Sequence, residues 1–306
     1  MPPPIVAVVG PTAAGKSELA IALALRLGGE VVNTDSMQLY RGMDIGTAKL
    51  SEEEWQRVPH HLLDILDVHE PATVAEFQGS ARGVIEDCRS RGVVPVMVGG
   101  SALYVRAVLD RFEFPGTDPV VRKRLEEELA EVGPEALHRR LAEVDPEAAA
   151  RIVATNGRRV VRALEVVEIT GRPFSASLPE HEFFFDDTQL VGIDISRPVL
   201  DERIAARVER MWEAGFVEEV RRLAAAGLRE GRTANRALGY RQVLSYLDGA
   251  IGEEQAKQDT ISATRRFARR QDSWFRKDPR IGWVRWDDPD RVERALAMVR
   301  AGSAGT

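Results

Sequence analysis

Cysteine is almost missing: Cys88 is the single one in 306 residues, which excludes an internal disulfide framework. Long hydrophobic runs are missing as well. The apolar stretch from Ile5 to Val9 stops at Gly10, too short for a secretory signal, and nothing approaches the roughly 20 residues that span a bilayer. A protein of the cytoplasm, not inserted in a membrane, is expected. There is no excess of positive charge to hold nucleic acid in bulk, because the net charge is −6, so any RNA binding has to come from local clusters. Lysine is scarce, at positions 16, 49, 123, 257 and 277 only, and each stands out against 37 arginines. His60 and His61 have no partner cysteine or second histidine pair at ligand spacing, and Asp64 alone completes no set, so no zinc site is expected.

What is there suffices for a core, since 44% of the residues are hydrophobic. Residues 4 to 9 read as a short buried strand, followed by a glycine turn and a helix from about Lys16 to Leu27 that ends at Gly28 and Gly29. Glu30 to Asn33 reads as a second strand. Thr73 to Glu76 is a capping box that opens a helix to about Arg91, and Val93 to Val98 is a third strand ending at Gly99 and Gly100. Strands alternating with helices imply a parallel sheet covered by helices, an α/β fold. From 113 to 184 the text turns charged and helical, with Asp118-Pro119 and Asp145-Pro146 as N-cap and N1 pairs, which predicts an all-helical insertion domain. Gln189 to Ile195 then reads as a strand that returns the chain to the sheet. The expected core is therefore discontinuous, 1–112 and 185–306, with a long helical C-terminal half.

Gly10, Pro11, Thr12, Ala13, Ala14, Gly15, Lys16 and Ser17 match the phosphate-loop pattern between a strand and a helix, the context that pattern requires. Backbone amides of such a loop and the Lys16 ammonium suit a diphosphate, and the Ser17 hydroxyl suits Mg2+. The third strand ends in Gly99, Gly100 and Ser101, where a nucleoside-triphosphate hydrolase would want a metal-binding acid. Asp35 is the only acid closing an apolar strand. Since carboxyl ends of parallel strands line the ligand crevice, Lys16, Asp35 and Ser101 are expected to converge.

The block from Asn33 to Lys49 (NTDSMQLYRGMDIGTAK) closely resembles the NADSMQVYRGLDIGTAK block of the tRNA dimethylallyltransferases, also called tRNA isopentenyltransferases. The resemblance continues in order with HHLLDI from His60, VGGSALY from Val98, RVVRALE from Arg159, GYR from Gly239 and TRRFARRQDSWF from Thr264. It implies a P-loop parallel sheet flanked by helices, dimethylallyl diphosphate as co-substrate, Mg2+ as cofactor and the tRNA anticodon stem-loop as partner. The implied reaction moves the dimethylallyl group to the exocyclic amine of the adenosine next to the anticodon, at tRNA position 37. By the same resemblance Asp35 is the general base, Ser101 hydrogen-bonds the diphosphate end of the donor, and Arg207 is a further diphosphate ligand beside Lys16. The usual motif is GGTGLY. Serine at 101 keeps the hydroxyl, while Ala102 in place of glycine leaves no basis for a close backbone approach at that position.

Arg158 and Arg162 lie four apart on one helix face, and the resemblance assigns them and Arg159 to tRNA, although Arg158 replaces a usual glutamine. Between Thr260 and Arg285 basic residues interleave with aromatics, a mixture that suits phosphates and stacked bases of a single-stranded loop. Arg269, Arg270, Gln271, Trp274 and Arg276 are the tRNA-facing candidates there. Arg236, Gly239, Tyr240 and Arg241 join them from the GYR region, and Ser36, Met37 and Gln38 from the loop after Asp35. Three other classes compete: a P-loop small-molecule kinase using Asp35 on a hydroxyl, a nucleotide-controlled RNA-binding protein, and an enzyme that prenylates free adenine nucleotides. The insertion and the arginine-rich segment favour a macromolecular acceptor, and a monomer is expected.

Overall fold

The computed structural model describes residues 2–51, 53, 58–174 and 181–303. Strand β1 is Ile5–Val9, and every residue in it is buried. Val6 and Val8 join the core cluster on one face while Ile5, Ala7 and Val9 are covered on the other, which is why the run is apolar without alternation. Helix α1 (Lys16–Leu27) ends where Gly28, in the left-handed region, donates its N–H to the carbonyl of Ala24. The chain returns through β2 (Gly29–Asn33), the two-residue β3 (His60–His61), α2 (Val74–Ser90), β4 (Val94–Gly99) and α3 (Ala102–Leu109). Thr73 caps α2, its hydroxyl accepting the N–H of Glu76 at 3.2 Å.

The chain divides into two compact units, one of residues Met1–Leu109 with Phe185–Thr306 and one of residues Asp110–Phe184. The smaller unit begins three residues before the expected 113. It contains α4 (Pro119–Val132), α5 (Pro134–Val144), α6 (Pro146–Arg151) and α7 (Gly157–Thr170). Asp118 accepts from the amides of Val120 and Val121, Asp145 from Ala148, and Asn156 from Arg159, so side-chain caps start α4, α6 and α7. Leu125, Leu137, Leu141, Val160, Val161 and Leu164 form its core.

The larger unit resumes with β5 (Thr188–Asp194), α8 (Arg197–Glu213), α9 (Phe216–Ala225), a 3-10 turn at Ala234–Arg236, α10 (Tyr240–Leu247) and α11 (Glu253–Phe275). It ends with β6 (Ile281–Arg285) and α12 (Arg291–Ser303). The sheet order is β3-β2-β4-β1-β5-β6, and every pairing is parallel. The expected long helical C-terminal half also carries a strand that the sequence did not suggest, because β6 adds to β5 from Leu190↔Ile281 to Asp194↔Arg285. This edge strand has only two fully buried residues, Ile281 and Val284, too few to give an apolar run. A second cluster, built on Tyr40, Met43, Phe216, Val220 and Tyr240, ties α9 and α10 to the loop after β2. Among the described residues no helix is long and apolar enough to cross a membrane.

Candidate active site

The loop between β1 and α1 turns through three left-handed residues, Gly10, Ala13 and Gly15. Ala13 is held there by Arg203 of α8, whose Nε donates to the Ala13 carbonyl at 2.8 Å while its guanidinium lies 5.0 Å from the centre of the Trp286 ring. Lys16 Nζ donates to the Pro11 carbonyl at 2.8 Å. Burial lowers its pKa to about 8, with Asp35 opposing the shift and Arg207 adding to it. Lys16 and Ser17 line an open cavity of about 1140 Å3 together with Arg203, Arg207 and Arg210, so the mouth of the loop is a cationic groove. Thr12 differs from its expected part. Its N–H donates to Gln271 Oε1 at 2.8 Å, so that amide is committed inside the protein, and its hydroxyl accepts from Arg207 Nη1 at 3.2 Å.

Across the strand ends, Asp35 follows β2 and is clamped by Asn33. The Asn33 Oδ1 accepts the N–H of Asp35 at 2.9 Å, and its Nδ2 donates to the carbonyls of Asp35 at 3.1 Å and Leu62 at 2.9 Å. One carboxylate oxygen of Asp35 accepts the N–H of Met37 at 2.9 Å, which closes a turn and fixes the side chain. Gln38 Nε2 donates to the carbonyl of Thr47 at 3.1 Å. Behind them Tyr104 is pushed up to about 12, chiefly by burial and then by Tyr40, with a hydrogen bond to Ser36 opposing and Asp35 adding.

Ser101 leaves β4 after the two glycines. A Cβ on Gly99 would stand 2.1 Å from Thr34 Oγ1, and one on Gly100 2.3 Å from Gln271 Nε2, so close packing requires both. Ala102 is already the first residue of α3, and the close approach belongs to the pair before Ser101. Asp35, Ser101, Thr12, Met37 and Arg207 line one smaller cavity of about 270 Å3 whose remaining wall includes the apolar side chains of Ile204, Val208, Phe216 and Phe267. Arg207 and Met211 line this cavity and the cationic groove alike. Arg207 donates to Thr47 O and Thr12 Oγ1, each at 3.2 Å, and burial lowers its pKa.

The RNA-facing candidates fare unequally. Arg158, Arg159, Arg236, Arg241, Arg269, Arg270, Trp274 and Arg276 are exposed. Two of these pair with carboxylates, Arg269 with Asp201 at 3.3 Å and Arg276 with Asp194 and Asp272 while stacked 3.9 Å over Trp283, and Arg270 lies 5.9 Å from the centre of the Phe267 ring. Arg162 turns inward to the buried carboxylate of Glu165, shared with Arg122, and to the carbonyls of Pro115 and Gly116. Tyr240 and Gln271 are corrections to an exposed RNA face. Tyr240 is fully buried and donates its hydroxyl to Glu219 at 2.6 Å, and Gln271 has both ends of its amide bound to backbone. Gly239 is the buried residue that starts α10. Arg203 and Asn33 were missed; only the spacing of Arg203, four before Arg207 on one helix, offered a signal. Among the described residues Glu30, His61 and Cys88 lie close enough to suggest a metal. Arg91 binds both oxygens of Glu30, and burial, with Glu30 adding to it, pushes the thiol up to about 11, so the three groups stand here as an ion-pair and hydrogen-bond cluster.

Residues 38–278 match the model of the IPP transferase family. A tRNA dimethylallyltransferase of Nocardioides sp. is 66% identical over 97% of this chain and 96% of its own, and one of Thermobifida fusca is 62% identical over 96% and 94%. Among solved structures, the tRNA isopentenylpyrophosphate transferase of Bacillus halodurans is 39% identical with a TM-score of 0.72 over 98% of both chains. A eukaryotic dimethylallyltransferase acting on tRNA is 25% identical with a TM-score of 0.85, over 98% of this chain and 79% of its own. Most of the chain is matched in all three comparisons, and it belongs to the IPP transferase family.

Proposed function

We propose that this protein transfers the dimethylallyl group of dimethylallyl diphosphate to the exocyclic amine of adenosine 37, next to the anticodon of tRNA, and releases diphosphate. One observation carries the reading: Asp35 and Ser101 share a small, partly apolar cavity with Arg207, and Arg207 also lines the cationic groove beside Lys16 and Ser17. A diphosphate in the groove and a five-carbon chain in the cavity would meet at that arginine.

The chemistry follows from the side chains. An adenine amine is a poor nucleophile because its lone pair is delocalised into the ring, and Asp35 would accept a proton from it as the new C–N bond forms. The leaving diphosphate gains negative charge, which Lys16, Arg207, the Ser101 hydroxyl and the amides of residues 13 and 15 to 17 would stabilise, the Ala14 amide being donated to the Pro11 carbonyl at 3.3 Å. The apolar walls keep water from an allylic carbon that is becoming cationic. Mg2+ would be held by the Ser17 hydroxyl and, when bound, neutralises diphosphate charge. Gly99, Gly100 and Ser101 at the end of β4 favour diphosphate binding over ATP turnover, because no acid stands there to hold a metal for hydrolysis.

The acceptor side rests on exposed arginines: Arg158 and Arg159 on the helical unit, proposed as the tRNA-binding insertion 113–184, and Arg241 and Arg270 on the larger unit. A monomer working in the cytoplasm belongs to the same reading. Extracting a base from an anticodon loop costs a few kcal/mol, which phosphate anchoring offsets and free AMP lacks. Incubation with dimethylallyl diphosphate followed by nucleoside mass spectrometry should give a prenylated adenosine in an anticodon stem-loop and very little in AMP at equal concentration. Comparable transfer to both would replace the tRNA assignment with a nucleotide prenyltransferase.

A further inference from the structure

Gln271 stands on α11, 7% exposed, and both ends of its side-chain amide are used. Its Oε1 accepts the N–H of Thr12 at 2.8 Å, and its Nε2 donates to the carbonyl of Gly100 at 2.8 Å. Thr12 belongs to the loop after β1 and Gly100 to the loop after β4. The two strands are neighbours with Val9 opposite Gly99, so the parallel ladder ends where these loops begin and does not hold one to the other. Gln271 does. The space around it admits little else, since a single methyl group on Gly100 would come within 2.3 Å of its Nε2. Residues on either side of the tie belong to the site: Thr12 receives Arg207 on its hydroxyl, and Ser101 follows Gly100 directly.

A buried amide with donor and acceptor both satisfied fixes geometry, because any displacement leaves two polar groups unpaired in a low dielectric. We infer that Gln271 is a positioning residue for the transfer reaction, an inference that rests on the function proposed above. It holds the phosphate loop in register with Ser101, so that a diphosphate seated on Lys16 and the loop amides presents its allylic carbon to the acceptor side at a set distance. Both ends of its amide are bound within the protein, so it acts through the two loops it joins. The competing possibility is a space-filling role, in which the amide matters only for its volume.

Three variants separate these: Gln271→Met, which keeps the volume and removes both hydrogen bonds; Gly100→Ala, which keeps the amide and displaces it; and Gly100→Ala with Gln271→Ala, which makes room for the new methyl group and restores no hydrogen bond. Each is read by thermal melting, by calorimetric affinity for inorganic diphosphate, and by the single-turnover rate on an anticodon stem-loop at saturating donor. Gln271→Met is expected to fold and to transfer about 10²-fold more slowly, the scale of a misplacement of about 1 Å. It should also bind diphosphate about threefold or more weakly, in line with one lost hydrogen bond beside the loop. Gly100→Ala should behave alike, and the double variant should stay slow. A wild-type rate and affinity in Gln271→Met, or recovery of the rate in the double variant, overturns the inference. Should the wild type transfer no prenyl group at all, the functional reading fails, and the diphosphate affinity of Gln271→Met still decides the tie: an unchanged value overturns it. If Gln271→Met does not fold, Gly100→Ala carries the same test.

Discussion

Lys16 gives donor binding a pH dependence whose sign and size follow from its surroundings. In the free protein burial lowers its pKa from 10.5 to about 8, against the opposing pull of Asp35 and with the help of Arg207. The unfolded chain holds that proton up to its ordinary value, so between these limits unfolding takes up a proton and stability rises with pH. The contribution is fully present above 10.5 and is lost as the pH falls through about 8, where the buried ammonium becomes charged. A diphosphate supplies the missing countercharge. Restoring Lys16 to its ordinary value makes binding take up one proton above about pH 8, and affinity then falls by up to tenfold per pH unit, roughly 300-fold or about 3 kcal/mol across the full window. Calorimetry with dimethylallyl diphosphate and no tRNA, from about pH 7 to about pH 10 in buffers of different ionisation enthalpy, reads both the affinity and the proton uptake. Lys16→Met should bind weakly throughout and show a much flatter profile. A wild-type affinity independent of pH, or a wild type and Lys16→Met that fall in parallel, would refute the argument.

The acceptor side makes two further claims. Asp35→Ala should leave donor and stem-loop affinity nearly intact while slowing single-turnover transfer by about 10² to 10⁴, the usual worth of a general base, and a near-normal rate would remove Asp35 from the mechanism. Arg158→Ala and Arg159→Ala should each weaken stem-loop binding and reduce its salt slope by about 1, as expected for a lost phosphate contact. Arg162→Ala should act differently, lowering the melting temperature of the helical unit through a loss on the order of 2 kcal/mol, because the buried Glu165 keeps Arg122 but loses a charged hydrogen bond. An Arg162→Ala protein that melts like the wild type but binds the stem-loop poorly would show that the inward reading of Arg162 is wrong.

Arginine 162 also shows where sequence reading stops. Signals carried by a few adjacent residues were legible: the glycines and lysine of the phosphate loop, the aspartates before Pro119 and Pro146, and the apolar run of β1 whose two faces are both covered. Asp35 was legible because it closes an apolar strand. Two strands escaped, β3 because two residues show no period and β6 because an edge strand with two buried positions reads as loop. The ties that shape the site escaped for a different reason, since Thr12 and Gln271 are 259 positions apart and no pattern links them. Arginines were the hardest case. Their spacing places Arg158 and Arg162 on one face, yet a buried glutamate three residues on turns the second inward. Charge that already has a carboxylate, as in Arg162, Arg269 and Arg276, has less to offer a phosphate than charge that has none. Arg207 makes its hydrogen bonds only to a hydroxyl and a carbonyl, at the junction of the groove and the cavity. With a hydroxyl and a carbonyl rather than a carboxylate as its hydrogen-bond partners, that cation is placed to take an anion.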